Sequence, residues 1–199
     1  MPKNSIKLTD LLGPAREIDV KVEQAFSDLK DSFALSLLLP KENNELALCR
    51  LMNKLLEKDG EGVFVTFNKT SNDLEKVFLE QELDLKRVHF VDAVTLMIDG
   101  NKSKNGETEY IESPSELVEV SMAAEKALKK LSAKKKFIVI DSITTLLVYN
   151  SDISVEKFSH ALAQKILDWN VKGIFLMTDS TSKKIVDTIA QFCDKTERI

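Results

Sequence analysis

The chain has 199 residues, 43% of them hydrophobic, which is enough to bury one well-packed core. Its 28 lysines and arginines face 32 acids for a net charge of -4, arguing against nucleic acid as the main partner, because such binding rests on a concentrated basic face. No segment is long and apolar enough to span a membrane and the first residues form no signal-peptide core, so a cytoplasmic protein is expected.

In chain order, Gly13-Pro14 is a break, after which Ile18, Val22, Phe26 and Leu29 recur at helical spacing and predict an amphipathic helix over residues 16–31. Phe33 to Leu39 is continuously apolar and reads as a strand buried on both faces. A polar loop, Pro40 to Asn44, leads into a helical stripe of Leu48, Leu51, Met52 and Leu55 that stops at Gly60. "GVFVTF", from Gly62 to Phe67, is a second buried strand. Thr70-Ser71-Asn72-Asp73 then supplies helix-start chemistry, with Leu74, Val77 and Phe78 facing inward. Val88 to Val91 is the third strand. Residues 99–112, "DGNKSKNGETEYIE", read as a solvated excursion or a small hairpin.

Ser113-Pro114-Ser115-Glu116 has the pattern of a capping box with proline at the first helical position, and the helix it opens carries Leu117, Val120, Ala124, Leu128 and Leu131 on one face. In "KKKFIVIDS", Lys134 to Lys136 form a solvated strand start and a fourth buried strand ends at Asp141. A helix bearing Phe158, Leu162 and Ile166 leads to a fifth strand, Gly173 to Asp179, and a last helix buries Ile185, Ile189 and Phe192. Continuous apolar strands joined by amphipathic helices predict an α/β fold in three layers, a mainly parallel sheet flanked by helices. The expected organisation is a helical extension over residues 1–31, packed on or beside the core and able to present a partner surface, followed by one α/β domain over 32–199.

In open α/β sheets the ligand crevice lies at the carboxyl ends of the strands. Here those ends are Pro40 to Asn44, Thr66 to Lys69, Asp141 to Thr144 and Thr178 to Ser180. Two segments, "GVFVTFNKTSNDLEKVFLEQELDLKRVHFVDA" (Gly62 to Ala93) and "FIVIDSITTLLVYNSDISVEKFSHALAQKILDWNVKGIFLMTD" (Phe137 to Asp179), resemble KaiC-type ATPases of the RecA superfamily, in an element order that holds from about Phe33 onward. The resemblance implies a RecA-like P-loop NTPase fold. It also makes Asp141 the position of the Walker B carboxylate, which supports magnesium beside the nucleotide phosphates. A strand-end aspartate equally serves as a turn cap beside Ser142 and Thr144, and without a phosphate loop that plainer reading is favoured.

The other family positions depart from the pattern. The family's "VTFEE" places acids after the second strand, one of them implicated in activating water; this chain reads "VTFNK". Asn68 offers no basic carboxylate and Lys69 reverses the charge. The family's glycine-rich loop and its Lys-Thr pair fall near Pro40 to Asn44. Such a loop needs glycines so that its N–H groups curl around phosphate oxygens, yet no glycine lies between Gly13 and Gly60. Lys41 sits too early, Asn43 and Asn44 stand where Lys-Thr would be, and Glu42 and Glu45 add negative charge. Asparagine tolerates left-handed torsions, so weak anion contact at the helix start stays open.

The sequence therefore predicts a catalytically inactive KaiC/RecA-like domain, regulatory or scaffolding, that acts by binding other proteins, itself or an active RecA/KaiC-like paralogue, with no catalytic residue, metal or cofactor. Its vestigial nucleotide site would comprise Pro40, Lys41, Asn43, Asn44, Asn68, Lys69, Asp141, Ser142 and Asp179. Two alternatives stay open. One is an ATPase or nucleotide sensor whose atypical loop, completed by a partner's residues, holds ATP with magnesium on Asp141; the other is a recombinase-accessory DNA binder. Within the site, Asn43 or Asn44 is expected to cap an ordinary turn, and Asp141 to be satisfied by Lys69, Asn68 or a nearby Ser or Thr hydroxyl. Cys49 and Cys193, in apolar helical surroundings without Cys or His at ligand spacing, read as reduced core thiols. His89 and His160 are expected to be structural, and Ser142 lacks the G-x-S-x-G context of a nucleophile. Trp169 and Tyr149 read as single aromatics near the core.

Overall fold

A strand whose neighbours lie on both sides and whose two faces are both covered favours apolar side chains throughout, and β1 (Phe33–Leu39) is buried along its whole length. The computed structural model describes residues 13–98, 102 and 108–199. In it β1 joins β2 (Glu61–Thr66), β3 (Val88–Asp92), β4 (Thr108–Tyr110), β5 (Lys136–Asp141), β6 (Lys172–Thr178) and β7 (Lys195–Arg198) in one sheet. The strand order is β4-β3-β2-β5-β6-β1-β7 and every pairing is parallel.

Side chains alternate between the faces of a strand. Phe33, Leu35, Leu37 and Leu39 of β1 go to one face. There they share a core with Ile18 and Val22 of α1 (Pro14–Phe26), Leu48, Leu51 and Met52 of α2 (Asn44–Leu56), and Leu74 and Phe78 of α3 (Ser71–Glu80). Ala34 and Leu38 go to the other face. Their core holds Val120 and Leu128 of α5 (Leu117–Lys130), Phe158, Leu162 and Ile166 of α7 (Asp152–Asp168), and Ile185 and Ile189 of α8 (Lys183–Ala190). Between these lie two short helices, α4 (Thr95–Ile98) and α6 (Ile143–Tyr149). The result is the expected three-layer α/β fold. No helix among the described residues is long and apolar enough to cross a membrane.

Several boundaries differ from the sequence reading. The first helix begins at Pro14 and ends at Phe26 rather than reaching residue 31, because Ser27 turns extended (φ -63°, ψ 143°) and Asp28 then takes a left-handed backbone (φ 63°). The capping box over Ser113 to Glu116 does not form. Ser113 spends its hydroxyl on the N–H of Ser115 (3.2 Å), and the helix begins only at Leu117, with no side-chain cap from Glu116. Within the loose segment, residues 99–101 and 103–107 lie outside the described residues, but Thr108–Tyr110 pairs in parallel with β3 as an edge strand. The polar β7 also went unforeseen: it borders β1 on one side only and so needs no apolar run.

Asp92, at the end of β3, is fully buried and saturated with donors. It accepts from the N–H of Ser71 (2.7 Å), Val94 (2.8 Å) and Thr95 (2.8 Å) and from the Thr95 hydroxyl (2.7 Å), tying the start of α3 to the sheet. Asp92→Ala strands these donors in the interior and should destabilise the protein by about 3 kcal/mol or more in urea denaturation. A loss below about 1 kcal/mol would show that α3 is held by packing alone.

Candidate functional site

The carboxyl ends of β1, β2 and β5 carry the candidate site. After β1 the chain turns through Pro40 to Asn43, with Lys41, Glu42 and Asn43 exposed, and α2 begins at Asn44. Asn43 holds the N-cap position, but in the left-handed region (φ 61°, ψ 24°) and without a side-chain cap bond; its carbonyl accepts the Ala47 N–H at 2.9 Å. The expected asparagine cap is therefore present in place and not in chemistry.

At the end of β2, Thr66 is buried and winds the next turn around its hydroxyl. It donates to the Lys69 carbonyl (2.6 Å) and accepts from the N–H groups of Asn68 (3.4 Å) and Lys69 (3.3 Å). Held this way, Lys69 sends its ammonium to the carboxylate of Glu45 in the first turn of α2, and the two form an ion pair. Asn68 is exposed.

Asp141 ends β5 and is 8% exposed. Its carbonyl accepts the Phe67 N–H (2.7 Å), while its carboxylate has no hydrogen-bond partner among the described residues. Burial pushes its pKa from 3.8 up to about 6, and the charge of Lys69 pulls weakly in the other direction. The expected direct satisfaction of Asp141 by Lys69, Asn68 or a hydroxyl is thus corrected: Lys69 acts on it through the field while its bond goes to Glu45. Nor does Asp141 cap the next helix. Ser142 does, accepting the Thr145 N–H (3.2 Å) at the start of α6.

The end of β6 is a separate hydroxyl cluster. The Thr178 N–H donates to the Thr144 hydroxyl (2.9 Å), which lies 2.6 Å from that of Thr181. Asp179 turns to β7 and pairs with Arg198, so it does not join Lys69 and Asp141. Because β6 lies between β1 and β5, the strand that leads into the Pro40 to Asn44 turn runs two strand spacings, about 10 Å, from the strand that ends at Asp141. Sequence reasoning noted the charge of Glu45 and missed its pairing, since Glu45 and Lys69 are 24 residues apart and meet only through the sheet order.

The remaining candidates are structural. Burial pushes the Cys49 thiol up to about 11 and that of Cys193 up to about 12, which keeps both protonated and unreactive. His160 stacks on Phe192 with ring centroids 4.6 Å apart. Tyr149 is exposed rather than near the core. Among the described residues no three His, Cys, Asp or Glu side chains cluster to hold a metal ion.

Residues 36–197 match the model of a family of unknown function, DUF7504. No curated protein matches the chain. Among solved structures, a KaiC-like protein (PH0186) from the hyperthermophilic archaeon Pyrococcus horikoshii OT3 aligns with a TM-score of 0.55 and 17% identity, over 80% of this chain and 68% of that one. An uncharacterized protein (PH0321) from Pyrococcus horikoshii, in complex with an unknown peptide, aligns with a TM-score of 0.68 and 12% identity, over 90% and 82%. At these identities the likeness is one of fold, and the fold is RecA-like.

A carboxyl whose pKa is raised in the folded state stabilises the protein below the unfolded value, and that contribution is lost as pH rises through the folded value. For Asp141 the window runs from about pH 4 to about pH 6. Asp141→Asn should therefore raise stability at pH 7 by roughly 1–3 kcal/mol, an advantage that vanishes near pH 4. Thermal melts of both proteins across that range provide the check; a difference that does not change with pH would show that the carboxyl does not titrate there.

Proposed function

We propose that this chain, which belongs to the DUF7504 family, is a catalytically inactive RecA-like domain that works as a regulatory or scaffolding protein by binding other proteins. The observation that carries the reading is the Lys69–Glu45 ion pair at the start of α2. A bound magnesium triphosphate needs an uncommitted cation at that helix start, glycine-permitted N–H groups around it and an ionised carboxylate for the metal. Here the Lys69 ammonium is tied to an acid, and that acid occupies the first helical turn, where phosphate charge would gather; Lys41 stands exposed in the turn, ahead of the helix start. Burial raises the pKa of Asp141 to about 6, so a metal ion would have to offset the desolvation of its carboxylate. The residues present do not fit the nucleotide.

The interaction half of the reading is supported by a groove of about 410 Å³ between α5 and α7. Leu117, Val118, Met122, Phe158 and Leu162 line it together with Lys157 and Lys165. Val118 is 74% exposed and Met122 64%, an unusual outlay of apolar surface on the solvent side of a helix. The chemistry suits an amphipathic segment that inserts apolar side chains and sets a carboxylate against Lys157, Lys165 being engaged by Ser121 (3.0 Å) and Glu125 (3.7 Å). The similarly folded Pyrococcus protein in complex with a peptide offers a precedent for peptide binding on such a scaffold.

Two measurements test the halves separately. Calorimetric titration with magnesium ATP should give no micromolar binding that depends on the strand ends; micromolar binding abolished by Asp141→Asn would reinstate the nucleotide site. Affinity purification from the native cell with mass spectrometry should recover a partner that Val118→Glu with Met122→Glu loses while its thermal melt is unchanged. Equal recovery by the variant would move the interface off this groove.

A further inference from the structure

The amino ends of the strands form a second surface, opposite to the one described above. A hollow of about 230 Å³ opens there, lined by Asp31, Lys134, Lys135, Lys136, Asn170 and Lys172. Lys172, one of its lining residues, is in register with Phe33 of β1 and adjacent to β5 through Phe137. Strand alternation sends Lys172 to one face: Ile174 and Leu176 of β6 share its parity and belong to the core beneath α2, and Lys135 lies in the bend that leads into β5. The field at Lys172 also includes Lys54 and Lys58, from the end of α2 and the turn after it.

Most of this charge has no structural employment. Lys136 donates to the Leu128 carbonyl (3.3 Å), and Lys54 is paired with Glu23 and Glu57. Among the described residues Lys58, Lys134, Lys135 and Lys172 form no ion pair and no side-chain hydrogen bond. The acids nearby are few. Asp31 lines the hollow, and the Glu61 carboxylate is taken up by the N–H groups of Ser132 (3.0 Å) and Ala133 (2.9 Å). Half-burial and the neighbouring ammonium groups, Lys135 first, depress the pKa of Lys172, so the cluster is held together against repulsion. A protein of net charge -4 thus concentrates free cations in one concave place.

We propose that this hollow binds a compact polyphosphate anion of the pyrophosphate or triphosphate class. Several phosphate oxygens bearing closely spaced charges would meet the Lys134, Lys135 and Lys172 ammonium groups at once and relieve their repulsion. The confinement of the hollow favours a small anion over a nucleic-acid strand, which needs a long basic track and a row of stacking aromatics. The site is independent of the strand carboxyl ends: binding here survives Asp141→Asn, whereas binding at the nucleotide position would not.

Titration of the full chain with sodium tripolyphosphate and with pyrophosphate, in about 50 mM chloride, tests the proposal. Saturable one-to-one binding is expected, weakened roughly tenfold or more by Lys135→Gln with Lys172→Gln and by raising chloride to about 200 mM. Lys172→Met, which keeps the aliphatic stem, replaces the double variant should that fail to give a native melt, and Lys76→Gln on α3 should bind as the parent does. Absence of saturable binding, or equal binding by the Lys135 and Lys172 variants, would falsify the site. A short single-stranded oligonucleotide that outcompetes tripolyphosphate at equal phosphate concentration would overturn its assignment to a small anion.

Discussion

A parallel sheet covered by helices on both faces leaves its interior to apolar side chains, and every other feature of this protein follows from that constraint. Chemistry is displaced to the two rims where strands begin and end. The exceptions inside show how narrow the allowance is. Asp92 is tolerated in full burial because four donors converge on it. Ser36, buried in β1 with a hydroxyl that has no partner among the described residues, carries the cost of a single neutral group. The carboxyl rim accordingly gathers hydroxyls, Asp141, Lys69 and Glu45, while the amino rim gathers lysines.

On the carboxyl rim the deciding circumstance is that one cation faces two acids. Lys69 is 38% exposed on its side chain and Glu45 60%, so their pair lies in the range where water screening leaves about 0–1 kcal/mol. Its importance is therefore not stability. By bonding to Glu45, Lys69 leaves Asp141 with only a long-range field against the desolvation of its carboxylate, and the neutral form gains. A crevice whose carboxylate is costly to ionise and whose Lys69 is engaged offers little to a metal-bound polyanion. The free lysines at the other rim present the opposite condition.

The layers were legible in the sequence because their cause is local. Unbroken apolar runs at Phe33, Val63, Phe137 and Ile174 can be satisfied only by burial on both faces, and the helical stripes between them show what covers each face. The edge strands were not legible, since β4 and β7 need an apolar partner on one side only and their Thr-Glu-Tyr and Lys-Thr-Glu-Arg sequences carry no such run. The Ser113 motif misled because a hydroxyl that can cap a helix can also close a short turn, as Ser113 does on the N–H of Ser115. In the site, the positions of Asn43, Lys69 and Asp141 on one rim followed from their places at the carboxyl ends of parallel strands. The pairing of Lys69 with Glu45 did not, because it depends on how far α2 and the turn after β2 reach toward each other in space.

The turn after β1 shows why a fold of this kind can exist without a phosphate loop. Lys41, Glu42 and Asn43 are exposed and contribute nothing to either core, whereas Ala47, Leu48, Leu51 and Met52 seat α2 against the sheet. The helix is therefore positioned by its buried face and not by its entry turn. Glycines in such a turn serve a ligand, since only close approach to an anion requires bare backbone there. Remove that requirement and side chains become free to fill the turn, as Asn43 does at a backbone conformation glycine would adopt without cost. The same separation holds for Lys69, whose turn is wound by the buried Thr66 hydroxyl whatever its own side chain does. Architecture and nucleotide chemistry are thus carried by different residues on this scaffold, and likeness of the first places no constraint on the second.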